Sequence, residues 1–181
     1  MEIVTQRFLL RDFIPADEPA FSAYRADPRY AEFCAAAEVT SSFSHELLQL
    51  FSQWTAESPR RHYQLAVVDR LARCASAVAR CDRRSPQLIG CAGLRREQNN
   101  SDWAELGIEL APQFWERYAY AIEIAAALIE FGFRDLDLQE IRGISVSANR
   151  WVNAVGSTLW IGGDLNATQP RLDARTRVAL N

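Results

Sequence analysis

Hydrophobic and polar positions along this chain change period several times, and each change marks an element. Arg7 to Phe13 (RFLLRDF) has the length and character of a strand. Pro15, Asp17 and Glu18 then open a helix, the proline pre-set for a first turn and the acids complementing its positive end. It stops before Asp27-Pro28, because a residue preceding proline avoids helical angles. A second helical piece follows over about Arg29 to Ala36. Ser44 is placed to cap a third, in which Leu47, Leu48, Phe51 and Trp54 share one face, and Ser58-Pro59 ends it. From His62 the pattern turns to strands: Tyr63 to Asp69 (YQLAVVD), Leu88 to Leu94 (LIGCAGL) and Asp102 to Leu110 (DWAELGIEL).

The stretch from Ala104 to Arg134 combines a strand, a short loop opened by Pro112 and a long apolar helix over Tyr118 to Phe133. Ile122, Ala126, Ile129 and Phe133 fall on one face of that helix, widened by Ile124, Leu128 and Phe131, while Glu123, Glu130 and Arg134 keep to a narrow stripe. Such a helix is buried on most sides, against a sheet. A strand running into a helix start also makes an anion site, since the first amides lack partners in the chain. Glu140 to Ser147 (EIRGISVS) gives a further strand, and a helical crossover from Asp102–Leu110 permits the two to be parallel. Asn149 caps a last helix over about Arg150 to Trp160, Gly162-Gly163 breaks it, and Thr176 to Leu180 is a weak strand candidate.

This order predicts an α+β fold, one mixed, mainly antiparallel sheet flanked by helices, in a single domain over residues 1–181. Residues 70–87 form an unusual insert, readable as a short helix or a loop, and 162–181 a short divergent tail. Nine of the 20 arginines lie between Arg60 and Arg96. That concentration reads either as a solvated excursion or as a patch for phosphate or an acidic partner.

A net charge of −3 and a pI near 5.5 argue against general nucleic-acid binding. No run of about 18 apolar residues occurs to span a membrane, and the N-terminus does not resemble a signal peptide, so a cytoplasmic protein is expected. Cys34, Cys74, Cys81 and Cys91 are scattered and read as reduced thiols. With only His45 and His62 to join them, no pair has zinc spacing and no metal is expected. The chain contains no lysine, which excludes a Schiff base or a phosphate-loop lysine.

Four segments, in order, resemble the GNAT acyltransferase superfamily, in particular its ribosomal-protein N-terminal acetyltransferase branch. They are Thr5 to Arg11 (TQRFLLR), Leu88 to Leu94, Ala104 to Ile108 (AELGI) running on to Phe114-Trp115, and Asn149-Arg150. The resemblance implies acetyl transfer from acetyl-coenzyme A to a primary amine, either a protein N-terminus or a small molecule. It implies backbone contacts to the pantetheine arm from Ile108, Glu109 and Leu110. It also implies a diphosphate cradle at Gln113, Phe114, Trp115, Glu116, Arg117 and Tyr118, continued by Ala119, with Asn149 as a further cofactor contact. Glu105 is implied as proton acceptor, being the acid next to the family's strand motif. For the proton donor to the leaving thiolate, the family's tyrosine on the last helix is missing, since no tyrosine follows Tyr120, and Ser157 is the hydroxyl that remains alongside Thr158.

Two features depart from the family pattern. The cradle ordinarily has glycines where the backbone approaches the phosphates, but here those positions hold Glu116 and Tyr118, and no glycine occurs between Gly107 and Gly132. After Asn149, Val152 stands where a small or hydroxyl residue is usual, and Leu159-Trp160-Ile161 replaces a Leu-Gly-Phe signature. The alternative function is therefore a catalytically weak or inactive GNAT-like binding module.

Overall fold

Seven strands pair in the order of the sequence to make one sheet in the computed structural model, which describes residues 1–70, 87–98, 101–143 and 171–173. They are β1 (Glu2–Val4), β2 (Phe8–Arg11), β3 (His62–Asp69), β4 (Gln87–Arg95), β5 (Trp103–Leu110), β6 (Glu140–Gly143) and β7 (Arg171–Asp173). The helices are α1 (Glu18–Arg25), α2 (Pro28–Ala31), α3 (Ser41–Ala56) and α4 (Tyr118–Arg134). All neighbours are antiparallel except β5 and β6, which run parallel with Trp103 opposite Glu140 and Leu106 opposite Gly143. The 17-residue α4 supplies the crossover that a parallel pair requires. The fold is thus the α+β class expected.

Alternation along the strands separates the two faces of the sheet. Tyr63, Leu65, Ala92 and Leu94 look toward α4, where Tyr63 meets Phe131 edge to face at 5.3 Å. On the other side α1 and α3 pack on each other and on β3 and β4. Phe21, Phe51 and Trp54 form a chain of ring contacts there, ending in Trp54 stacked on His62 at 4.5 Å. Full burial of side chains such as Phe8, Phe21, Leu65 and Leu128 stabilises the two layers by about 1.5–3 kcal/mol each.

Several element boundaries differ from expectation. Thr40, rather than Ser44, caps α3, its hydroxyl accepting from the Phe43 amide at 3.2 Å; Ser44 lies one turn in and is buried. The second helical piece is confined to Pro28–Ala31, with a separate 3-10 turn at Ala36–Val39. The buried stripe of α4 runs through Ile124, Ala125, Leu128, Ile129 and Gly132, so Ile122, Ala126 and Phe133 lie at its margins. Glu123 is not a solvated acid: it accepts from the Thr5 hydroxyl and from the Arg7 amide and guanidinium, fastening the β1–β2 turn to α4. The short strands β1 and β7 were not anticipated. The insert from Leu71 on, the part of the expected strand beyond Gly143, the expected last helix with Asn149 and Ser157, and the 176–180 strand candidate lie outside the described residues.

Candidate active site

Glu105, Gly107 and Glu109 alternate onto the α1/α3 face of β5, and the register of the sheet extends each into a row. Glu105 pairs with Arg95 and Arg95 with His62; Gly107 with Gly93 and Gly93 with Gln64; Glu109 with Cys91 and Cys91 with Ala66. The middle row carries no side chain on β4 or β5. At Gly93 this is obligatory, because a Cβ there would stand 2.0 Å from the Tyr63 carbonyl oxygen. The result is a strip of sheet with no β4 or β5 side chain of its own, spanned at Gly107 by Arg95, between an ion pair on one side and a half-buried carboxylate on the other.

The carboxylate is Glu109. Tyr24 and Tyr30 donate their hydroxyls to it at 2.6 and 2.7 Å, and Arg25 Nη1 reaches both oxygens at 3.1 Å. Arg25 also donates to the Tyr30 hydroxyl and to the Glu38 carbonyl, and its guanidinium lies near the rings of Phe21, Tyr30 and Phe43. Burial first, then Cys91 and Glu109, pushes Tyr24 well above the ordinary phenol value; burial and Glu109 do the same to Tyr30. Both therefore remain donors. The Cys91 thiol is pushed up by burial and by Glu109. For Arg25, burial works against the charge, but Glu109 and the two tyrosines outweigh it and raise its pKa.

On the opposite side, Arg95 Nη2 holds Glu105 Oε1 at 2.8 Å. Arg95 and Trp54 border two concavities. One, about 300 Å³, reaches Gln64, Phe43 and Glu109; the other, about 460 Å³, reaches His62, Trp103 and Glu105.

The strand leads on through a 3-10 turn, Pro112–Phe114, to α4. Ile108 and Leu110 face the α4 side, Leu110 buried, and the Leu110 carbonyl accepts from the Trp115 indole at 2.7 Å. Gln113, Glu116 and Ala119 are exposed, so Glu116 turns to solvent. Arg117 donates to the Tyr120 hydroxyl at 2.7 Å, and the Arg7 and Arg117 guanidiniums lie 5.1 and 5.2 Å from the Tyr120 ring. The helix start is less open than expected, for the Tyr120 amide donates to the Arg117 carbonyl and the Arg117 amide to Phe114. Tyr118, the first residue of α4, is half-buried.

Of the residues expected from sequence, Glu105 and Glu109 thus share one face of one strand, and Gln113 to Ala119 lie beyond its end. Tyr24, Arg25, Tyr30, Gln64 and Arg95 were missed. The one signal was Gln64, a polar residue inside the otherwise apolar stretch Tyr63 to Val68. Among the described residues no group of three or more His, Cys, Asp or Glu is placed to hold a metal, and no helix is long and apolar enough to cross a membrane.

A family model described as an acetyltransferase (GNAT) domain matches residues 7–158. The chain belongs to the GNAT acetyltransferase family, whose members use acetyl-coenzyme A. Solved structures share the fold. An acetyltransferase from Agrobacterium tumefaciens superposes with a TM-score of 0.62 at 21% identity, over 95% of this chain and 94% of that one. A Vibrio cholerae protein, provisionally assigned as a ribosomal-protein-serine acetyltransferase, gives 0.67 at 18%, over 87% and 80%. RimJ from Mycobacterium smegmatis, solved with coenzyme A disulfide, gives 0.62 at 14%, over 84% and 68%. Ribosomal-protein acetyltransferases are thus among the proteins that share the fold. No curated protein sequence matches this one significantly.

Proposed function

We propose that the protein is an N-acetyltransferase that moves the acetyl group of acetyl-coenzyme A onto a primary amine. One observation carries the reading: the α1/α3 face of β5 presents Glu105 and Glu109 to adjoining concavities, while the same strand runs on into the 111–117 loop and α4. A cofactor arm laid along Ile108, Glu109 and Leu110 and an amine in the concavities meet on this face of β5. Acetyl-coenzyme A supplies the thioester. The chain's residues orient the amine and accept its proton, and Glu105 is our proton acceptor, directly or through water. The Arg95 contact must loosen for Glu105 to take that role. Asn149 and Ser157 keep the cofactor-contact and proton-donor roles that the resemblance implies, and the cytoplasm is the compartment we assign.

Coenzyme A is received by Gln113, Trp115, Arg117, Tyr118 and Ala119. The exposed Glu116 removes the like-charge objection to a diphosphate. Arg117 needs only to leave Tyr120 to offer a charge-assisted contact. The direct test is a coenzyme A titration followed by thermal shift, since specific binding to the folded state raises its stability. A thiol-release assay with amine panels follows. Absence of a shift at millimolar coenzyme A would reject the enzyme. The second reading, a non-catalytic binding module, is favoured by the Trp115 indole bound to the Leu110 carbonyl beside the expected cofactor strand.

A further inference from the structure

The smaller concavity holds a buried acceptor that the protein itself leaves unanswered. Gln64 is only 8% exposed, lines this space and has no hydrogen-bond partner for its Oε1. A buried carbonyl without a partner is costly unless a ligand or water supplies an N–H or O–H.

The other polar groups here are already matched. Glu109 has Tyr24, Tyr30 and Arg25, and Arg95 has Glu105. The remaining orphan, Arg25 Nε, belongs to a guanidinium among aromatic rings, whose faces are weak acceptors. Glu38 also lines the space, and its carboxylate accepts from the Ala35 amide; the rest is mainly apolar, with Phe21, Phe43, Leu47, Phe51 and Trp54. Such a space asks for one donor head on an apolar body. Its two carboxylates, Glu38 and Glu109, are balanced by Arg25 and Arg95, so it offers no surplus of negative charge to an extended polycation.

We infer that this concavity is the acceptor pocket, that Gln64 Oε1 receives an N–H of the incoming amine, and that the acceptor is a monoamine with an aromatic or branched apolar body. This rests on the acetyltransferase reading for the word acceptor, but the binding site can be tested without it. The body packs among Phe43, Leu47, Phe51 and Trp54, beside the Arg95 side chain that spans Gly107.

Phenethylamine is the probe, titrated calorimetrically beside 2-phenylethyl methyl ether, which keeps the ring and lacks the donor, and beside spermidine. The parent protein should bind the amine about tenfold or more tightly than the ether. Gln64→Leu should remove that preference while keeping ether binding and the melting temperature, since the substitution deletes an unsatisfied group. Gln64→Glu, which retains an acceptor oxygen, should preserve the preference. Equal binding of amine and ether by the parent, no binding of either, full discrimination by Gln64→Leu, or tighter binding of spermidine would each overturn the inference. Coenzyme A binding is followed separately by thermal shift. A coenzyme A response without amine discrimination sinks this inference alone; discrimination without a coenzyme A response sinks only the enzyme.

Discussion

Arg95 reaches over Gly107 to hold Glu105. Its Nη2 lies 2.8 Å from Glu105 Oε1, and it stands 2.8 Å from where a Cβ on Gly107 would be. The side chain of one strand thus covers a gap in the next, and the carboxylate expected to receive a proton is engaged. Both partners are more than a third exposed, or nearly so, at 39% and 34%. An exposed pair contributes only about 0–1 kcal/mol, so releasing Glu105 is inexpensive.

The two glycines of the strip should therefore respond differently to the same substitution. At Gly107 the new methyl meets the tip of a flexible arginine, which can move; Gly107→Ala should cost about 1 kcal/mol or less and detach Arg95. At Gly93 it meets the Tyr63 carbonyl oxygen and Gln64 Cα, which cannot move without parting β3 from β4. Gly93→Ala should cost about 3 kcal/mol or more. Urea denaturation of both variants checks the contrast, and equal losses would contradict it.

Glu105→Gln should lower turnover about 100-fold or more while coenzyme A binding persists. The measurement is steady-state thiol release with an amine acceptor, alongside thermal shift with coenzyme A. Normal turnover would remove Glu105 from the role of proton acceptor and pass it to water or another group.

Glu123 connects the sheet edge to α4 and has a calculable pH dependence. Burial raises its pKa, but the Thr5 hydroxyl, the Arg7 amide and the Arg7 guanidinium outweigh it and leave the carboxyl below its ordinary 4.5. With the folded value depressed, its stabilisation is present above about pH 4.5 and is lost as pH falls through the folded pKa. Parent and Glu123→Gln should differ in melting temperature at pH 7 and converge toward pH 3. A gap that stayed constant or widened on acidification would contradict this.

How far the sequence disclosed the molecule depended on range. Strands β3 to β5 and helix α4 were readable because their periods and lengths are local properties, and the parallel β5–β6 pair followed from the crossover. The cap of α3 was misplaced because Thr40 and Ser44 both precede apolar positions, and only backbone geometry decides between them. The Glu109 cluster was invisible in sequence because Tyr24, Arg25 and Tyr30 lie at least 79 residues away from it. Their meeting depends on how α1 and α2 sit on the sheet. Glu105 was chosen for its neighbours in the chain, while its ion pair with Arg95 is a matter of register.

All four cysteines should titrate as free thiols in the unfolded, non-reduced protein. Cys34 and Cys91 are unpaired in the structure, Cys34 half-buried and Cys91 buried. In the native protein Cys34 should react before Cys91, whose thiol is pushed up by burial and by Glu109 and is hidden from reagent. Recovery of two thiols or none under denaturing conditions, with air oxidation excluded, would refute the reduced state.

The 111–117 loop decides whether coenzyme A is held in the way the fold suggests. Arg117 now donates to Tyr120 and lies over the Phe114 and Tyr120 rings, and turning it to a diphosphate exchanges a neutral acceptor for a charged one. A charge-assisted contact is worth about 1.5–3 kcal/mol, so Arg117→Ala should weaken coenzyme A binding about tenfold or more. It should leave dephosphorylated pantetheine unaffected, because that ligand never reaches the arginine. Glu116→Gly with Tyr118→Gly should strengthen coenzyme A binding by letting the backbone approach the phosphates, less the cost of added flexibility before α4. Calorimetry of both ligands on parent and variants separates these effects. If the parent binds coenzyme A and pantetheine equally, or Arg117→Ala changes neither affinity, the diphosphate is not held at this loop. The binding-module reading then takes precedence over the enzyme.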